Sequence, residues 1–202
     1  AVTPPGTARG VSSRKREKFR PQLRLLSVAT VTPRKGHRLL IEALAGIDRD
    51  TWRLDCIGSL TRDLDCAAEL RDLITRNHLE TNIRLLGERQ PQQLPLAYDE
   101  ADLFVLPSFH EGYGMAYAEA LSYGLPIVAT TGGAIPYTVP ESAGILVPPG
   151  DVDALRDALS RAIGDRKLLA KLSDGARRAG AALPDWPQAV GQWRDAVVRL
   201  AA

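Results

Sequence analysis

The chain has 202 residues, 45% of them apolar and 25% charged, with a formal net charge of +2. That length holds one sizeable core or two small ones, and the near balance of charge excludes a basic nucleic-acid-binding body. No stretch approaches the roughly 20 consecutive apolar residues of a membrane span, and the first residues lack the layout of a secretory leader, so the expected setting is cytoplasmic.

Residues 1–22 carry six basic side chains and one acidic one, which leaves −3 for the remainder. Rich in Pro, Gly, Ser and charge and without apolar periodicity, they read as an interdomain linker or flexible arm. The basic run of Arg14, Lys15, Arg16, Lys18 and Arg20 has two readings. One is a solvated linker. The other is peripheral contact with the inner face of an anionic membrane, at about 1 kcal/mol per basic residue.

Order is expected from Leu23, as one domain over 23–202. Short apolar runs at 23–29, 53–57, 83–86, 103–106, 127–129 and 145–147 read as strands. Helical patterns fall between and after them, at 37–45, 63–77, 92–100, 114–123, 151–163, 166–179 and 186–200. Strands that are almost wholly apolar, without alternation, fit a sheet covered on both faces. The fold class is therefore α/β, a doubly wound parallel sheet of Rossmann-like type. In such sheets ligands collect at the carboxyl ends of the strands, which selects the loops after the first, second and fourth strands.

After the first strand, Pro33-Arg34-Lys35-Gly36 puts two cations and a glycine at the mouth of the sheet. A lysine there can act as a point charge on a phosphate; the alternative is a solvated Arg-Lys pair. Gly58 and Ser59 follow the second strand. After the fourth comes Glu111-Gly112-Tyr113-Gly114-Met115, with Glu119 eight residues beyond Glu111. The glycines allow close backbone approach, and a helix starting near Gly114 directs unpaired N–H groups at an anion, which makes a diphosphate cradle. Glu119 then accepts hydrogen bonds from neighbouring ribose hydroxyls; the alternative is that Glu119 is a solvated helix residue and the glycines merely turn the chain. Thr131-Gly132-Gly133-Ala134-Ile135-Pro136 is a second glycine-rich turn at a strand end, expected near the same ligand.

Several chemistries find no support. Asp63-Leu64-Asp65 resembles a paired-aspartate metal motif but opens a helix, where acids suit the dipole. His37, His78 and His110 make no ligand spacing, and Cys56 and Cys66 neither pair as zinc ligands nor form a disulfide framework. No metal is expected. A Gly-x-Ser-x-Gly elbow, a phosphate loop and a dinucleotide Gly-x-Gly-x-x-Gly after the first strand are all missing.

The ordered series of residues 27–36, Ile57-Gly58, Leu85-Leu86-Gly87, residues 101–108, residues 111–119 and residues 124–129 resembles the C-terminal domain of family 4 retaining glycosyltransferases of GT-B architecture. The resemblance implies a donor substrate, a UDP- or GDP-linked sugar, and no other cofactor. It implies that Lys35 binds the diphosphate and that Glu111 lies near the transferred sugar. Glu119 would bind the ribose, and the amides of Tyr113, Gly114 and Met115, with Gly112, would hold the distal phosphate and sugar. The backbone near Glu88 and Arg89 would read the base. Lys35 and Glu111 are the catalytic candidates.

Two positions depart from the family pattern. An Arg common five residues before the lysine is Thr30 here, preceded by Ala29, so Arg34 is the candidate replacement among the donor-binding residues. The second glycine after the second strand is replaced by Ser59 and Leu60. The resemblance further implies an N-terminal, acceptor-binding domain that this chain lacks. Val2-Thr3-Pro4-Pro5-Gly6-Thr7 would be the connection to it, and residues 186–200 a closing helix returning toward it. The expected function is thus the donor-binding domain of a retaining, metal-independent glycosyltransferase in carbohydrate biosynthesis, inactive alone. The alternative is a non-catalytic nucleotide-sugar-binding module or an epimerase half-domain.

Overall fold

The computed structural model describes residues 5–7 and 21–201, side chains of 199–201 excepted. The basic run at 14–20 and the Val2-Thr3-Pro4 portion of the expected connection lie outside the described residues.

Six strands, β1 (Leu23–Val28), β2 (Trp52–Ile57), β3 (Ile83–Leu85), β4 (Leu103–Leu106), β5 (Ile127–Thr130) and β6 (Gly144–Val147), form one sheet. Every pairing is parallel, in the order β3-β2-β1-β4-β5-β6. Successive strand residues point to opposite faces, and both faces are buried. On one, Leu25, Leu54 and Val105 join α1 (His37–Ala45), α2 (Leu64–Arg76) and α6 (Val152–Gly164). On the other, Leu26, Phe104 and Ile127 meet α3 (Leu94–Glu100), α4 (Met115–Ser122) and α7 (Arg166–Ala182). This double coverage explains the unbroken apolar runs of β4 and β5, every residue of which is buried, whereas β1, β2 and β3 each keep a charged residue exposed, Arg24, Arg53 and Arg84.

Helix boundaries follow from local chemistry. Asp63 caps α2 by accepting from the Cys66 amide at 2.9 Å, the dipole-suited role read for it from sequence. Asp151 does the same for α6 through Ala154. In α6 the buried residues Leu155, Ala158, Leu159, Ala162 and Ile163 repeat at helical spacing, so one stripe meets the sheet. The last helix, α8 (Trp186–Ala201), keeps Trp186, Val190, Trp193 and Val197 exposed along one side. None of the described helices is long and apolar enough to cross a membrane.

Two local readings change. The glycine-rich turn after β5 contains a one-turn helix, α5 (Ile135–Thr138), too short to carry a periodic signal. Within the segment read as a flexible arm, Gly6 and Thr7 are buried, the Thr7 amide donates to the Pro184 carbonyl at 3.0 Å, and Gly6 packs against the Trp186 backbone. The absence of a side chain on Gly6 permits that approach.

Candidate active site

The strand order reverses direction at β1, whose neighbours are β2 on one side and β4 on the other. The loops leaving β1 and β4 therefore diverge and open a crevice at their carboxyl ends. Both loops are pinned there. Gly36 takes a left-handed conformation, φ 71°, and an added Cβ would overlap the Pro107 carbonyl oxygen, so the β1 loop lies directly on the end of β4. The Phe109 amide donates to the Arg34 carbonyl at 2.8 Å.

This contact brings Lys35 to Glu111 across 76 residues of sequence, with Nζ donating to Oε1 at 2.5 Å. The Ser108 hydroxyl donates to the same oxygen at 2.7 Å, and Arg34 Nη1 lies 3.5 Å from Oε2. Arg34 also donates to the His110 carbonyl at 2.6 Å, so its loop folds inward toward the β4 loop. Glu111 is only 7% exposed. Burial opposes its ionisation, but hydrogen bonds from Lys35 and Ser108 and the charges of Lys35 and Arg34 outweigh that and hold the carboxyl below its ordinary 4.5. The crevice thus keeps a charged pair with a second cation beside it.

The third loop, after β5, closes on the same place. Gly133 forms a bridge with Glu111, the Ala134 amide donates to the Glu111 carbonyl at 2.8 Å, and the Thr130 hydroxyl donates to the Ser108 carbonyl. Gly112 is exposed, while Tyr113, Gly114 and Met115 are half-buried. Gly114 begins α4 from the left-handed region, φ 87°, and the first amide bonded within that turn is Tyr117, to the Gly114 carbonyl at 2.9 Å. The preceding amides stand at the positive end of the helix.

Thr30, Gly58, Glu88 and Arg89 come together elsewhere in the crevice. With Val28, Ile57, Ser59 and Leu94 they line a pocket of about 230 Å³ over the ends of β1, β2 and β3. Glu119, half-exposed on α4, accepts from the Tyr98 hydroxyl at 2.8 Å. Among the described residues no group of His, Cys, Asp and Glu is arranged to hold a metal. The residues singled out from sequence thus fall into an ionic cluster with the adjoining α4 turn, a pocket, and Glu119.

Three participants were not singled out. Tyr98 meets Glu119 across 21 residues of sequence, whereas Ser108 meets Glu111 only three residues along, and that spacing is its sequence hint. The third is His37, 2% exposed, whose ring nitrogens have no hydrogen-bond partner among the described residues. Burial, and then Lys35, lowers its pKa to about 4. A folded-state value below the ordinary 6.5 means that the neutral ring favours folding above pH 6.5 and that this stability is lost as pH falls toward 4, about 3 kcal/mol over the whole span. Thermal melts between pH 7 and 4.5 should show a steeper loss for the parent than for His37→Leu; parallel curves would contradict the assignment.

A model of the family described as "Glycosyl transferases group 1" matches residues 10–179. The chain belongs to this family. Escherichia coli O-antigen chain mannosyltransferase B is 35% identical over 141 residues, covering 69% of this chain and 36% of that protein. The chain therefore spans little more than a third of that relative's length. Among solved structures, Anabaena Alr3699/HepE, in complex with UDP and glucose, superposes with a TM-score of 0.81 at 25% identity, over 89% of this chain and 49% of that one. The C-terminal domain of the Francisella tularensis group 1 glycosyl transferase LpcC gives a TM-score of 0.72 at 26% identity, covering 88% and 93% of the two chains. The six-stranded parallel fold is that of the C-terminal, Rossmann-like domain of a GT-B glycosyltransferase.

Proposed function

We propose that this domain binds the nucleoside-diphosphate sugar of a retaining, metal-independent glycosyltransferase, the acceptor being held by a second domain. The observation that carries the reading is the Lys35–Glu111 pair at 2.5 Å, set at the sheet's switch point beside the start of α4. In sugar transfer the bond from the anomeric carbon to the diphosphate breaks, and negative charge grows on the leaving oxygen. Lys35, Arg34 and the amides of Tyr113, Gly114 and Met115 are fixed donors for that charge, so little reorganisation is needed as it develops. Glu111, kept ionised, orients Lys35 and accepts from a sugar hydroxyl. With retention, the departing phosphate takes the acceptor proton as the new bond from the acceptor oxygen to the anomeric carbon forms on the same face.

Glu119 accepts from the ribose hydroxyls, and the pocket bounded by Thr30, Gly58, Glu88 and Arg89 takes the base. UDP and glucose are the ligands of the Anabaena structure, and a uridine or guanosine donor fits this reading. Contact with the acceptor-binding half falls to the exposed apolar side of α8, and the domain alone does not turn over.

Calorimetric titration with UDP and GDP, with and without EDTA, tests the site. Saturable binding insensitive to EDTA is expected for one of them. Glu119→Gln should weaken the nucleotide whether or not sugar is attached, whereas Glu111→Gln should act mainly on the nucleotide sugar. The reverse pattern exchanges the two roles, and binding that requires a divalent cation rejects the metal-independent mechanism.

A further inference from the structure

Tyr98 on α3 is 2% exposed and sits in an aromatic stack. Its ring centroid lies 5.3 Å from that of Tyr123 at 12° and 6.1 Å from that of Phe104 at 27°. A phenylalanine would serve that packing equally well, so the hydroxyl calls for a separate reason, since a buried O–H without a partner is costly. It has a partner: Oε2 of Glu119, 21 residues away, at 2.8 Å. Among the described residues no other side chain hydrogen-bonds that carboxylate. Burial and the Glu119 charge push the phenol well above its ordinary range, so it remains a protonated donor.

Glu119 belongs to α4, the helix whose first turn stands at the crevice, and its carboxylate has three torsions to settle before it can meet a ligand. A donor anchored in the core removes that freedom in advance and leaves Oε1 as the acceptor. Ligand binding then avoids the cost of ordering the side chain. We propose that Tyr98 is a positioning residue for nucleoside recognition: its hydroxyl holds Oε2 of Glu119 so that Oε1 meets the vicinal hydroxyls of the ribose. The proposal rests on the reading of Glu119 as the ribose acceptor.

The test titrates the full chain with UDP and GDP, their 2′-deoxy counterparts and inorganic pyrophosphate, in the parent, Tyr98→Phe, Glu119→Gln and the double variant. Tyr98→Phe keeps the ring and should melt close to the parent. It should weaken the ribonucleotide about tenfold, reduce its preference over the deoxynucleotide, leave pyrophosphate unchanged, and add nothing to Glu119→Gln. Tyr98→Leu, which also removes the ring, should lower the melting temperature and weaken every ligand. Undiminished ribose preference in Tyr98→Phe, with that preference lost in Glu119→Gln, overturns the positioning role and keeps the ribose assignment. Preference intact in both variants, or no binding of any probe to the parent, rejects the assignment and the proposal together. An equal loss for pyrophosphate and nucleotide in Tyr98→Phe assigns Tyr98 a structural role only.

Discussion

Lys35→Ala is expected to weaken nucleoside-diphosphate binding by roughly 1.5 to 3 kcal/mol, the range of a hydrogen bond to a charged group. Two effects need separating. Lys35 is the closest cation to Glu111, and removing one member of a largely buried pair leaves the other poorly compensated. Stability should therefore fall together with affinity. The acid response should change as well: Glu111, held below its ordinary 4.5, stabilises the fold above that pH and loses the contribution as pH drops through its lowered value. Without Lys35 the carboxyl rises and that contribution shrinks. Adding Glu111→Gln to Lys35→Ala removes the uncompensated charge, so stability should partly recover while affinity does not. Calorimetry and urea melts of the single and double variants give both quantities; unchanged affinity in Lys35→Ala removes this lysine from the site.

A large effect on folding is expected from Gly36→Ala. The backbone there is left-handed, φ 71°, and the new methyl would overlap the Pro107 carbonyl. The left-handed strain costs about 1 kcal/mol, and displacing a main-chain carbonyl at the end of a buried strand adds to it, giving about 3 kcal/mol in total. The loop that carries Arg34 and Lys35 would also have to lift from β4, so ligand affinity should fall in any molecules that fold. Gly112→Ala is the control, because nothing lies within 4 Å of its added Cβ. Urea midpoints should separate the two variants clearly, and equal midpoints would mean that the β1 loop yields at little cost.

Where a feature arises from a repeating pattern, it was legible in the sequence. β4 and β5 are buried on both faces and their composition says so, and β4 falls on the residues expected, 103–106, whereas β1, β2 and β3 alternate more than expected because each exposes an arginine. α1 falls on the expected 37–45, and the other expected helices differ by a residue or two at their ends, except α7, which continues to Ala182 rather than 179 because Ala and Gly there give no apolar edge to mark its limit. Lys35 and Glu111 could be picked out by their place after strands and by resemblance, but their direct pairing could not, since it depends on how the ends of β1 and β4 meet. Tyr98 reads as an ordinary core aromatic until Glu119 is seen across the helix interface. The burial of Gly6 and Thr7 against Trp186, the first residue of α8, and Pro184 just before it is likewise a long-range event between residues with no patterned signal.

The seam between β1 and β4 divides the sheet into three strands formed from the first part of the chain and three from the second. Within each group neighbouring strands are consecutive in the chain, whereas pairing β1 with β4 closes a loop that contains β2 and β3, the entropically dearer contact. Lys35 and Glu111 lie on opposite sides of that seam. Neither group of strands alone can assemble the ionic cluster, so competence to bind requires that this junction be closed. A diphosphate bridging the two sides would act as a staple on that junction, stabilising the native state by an amount that grows with the logarithm of its concentration above Kd.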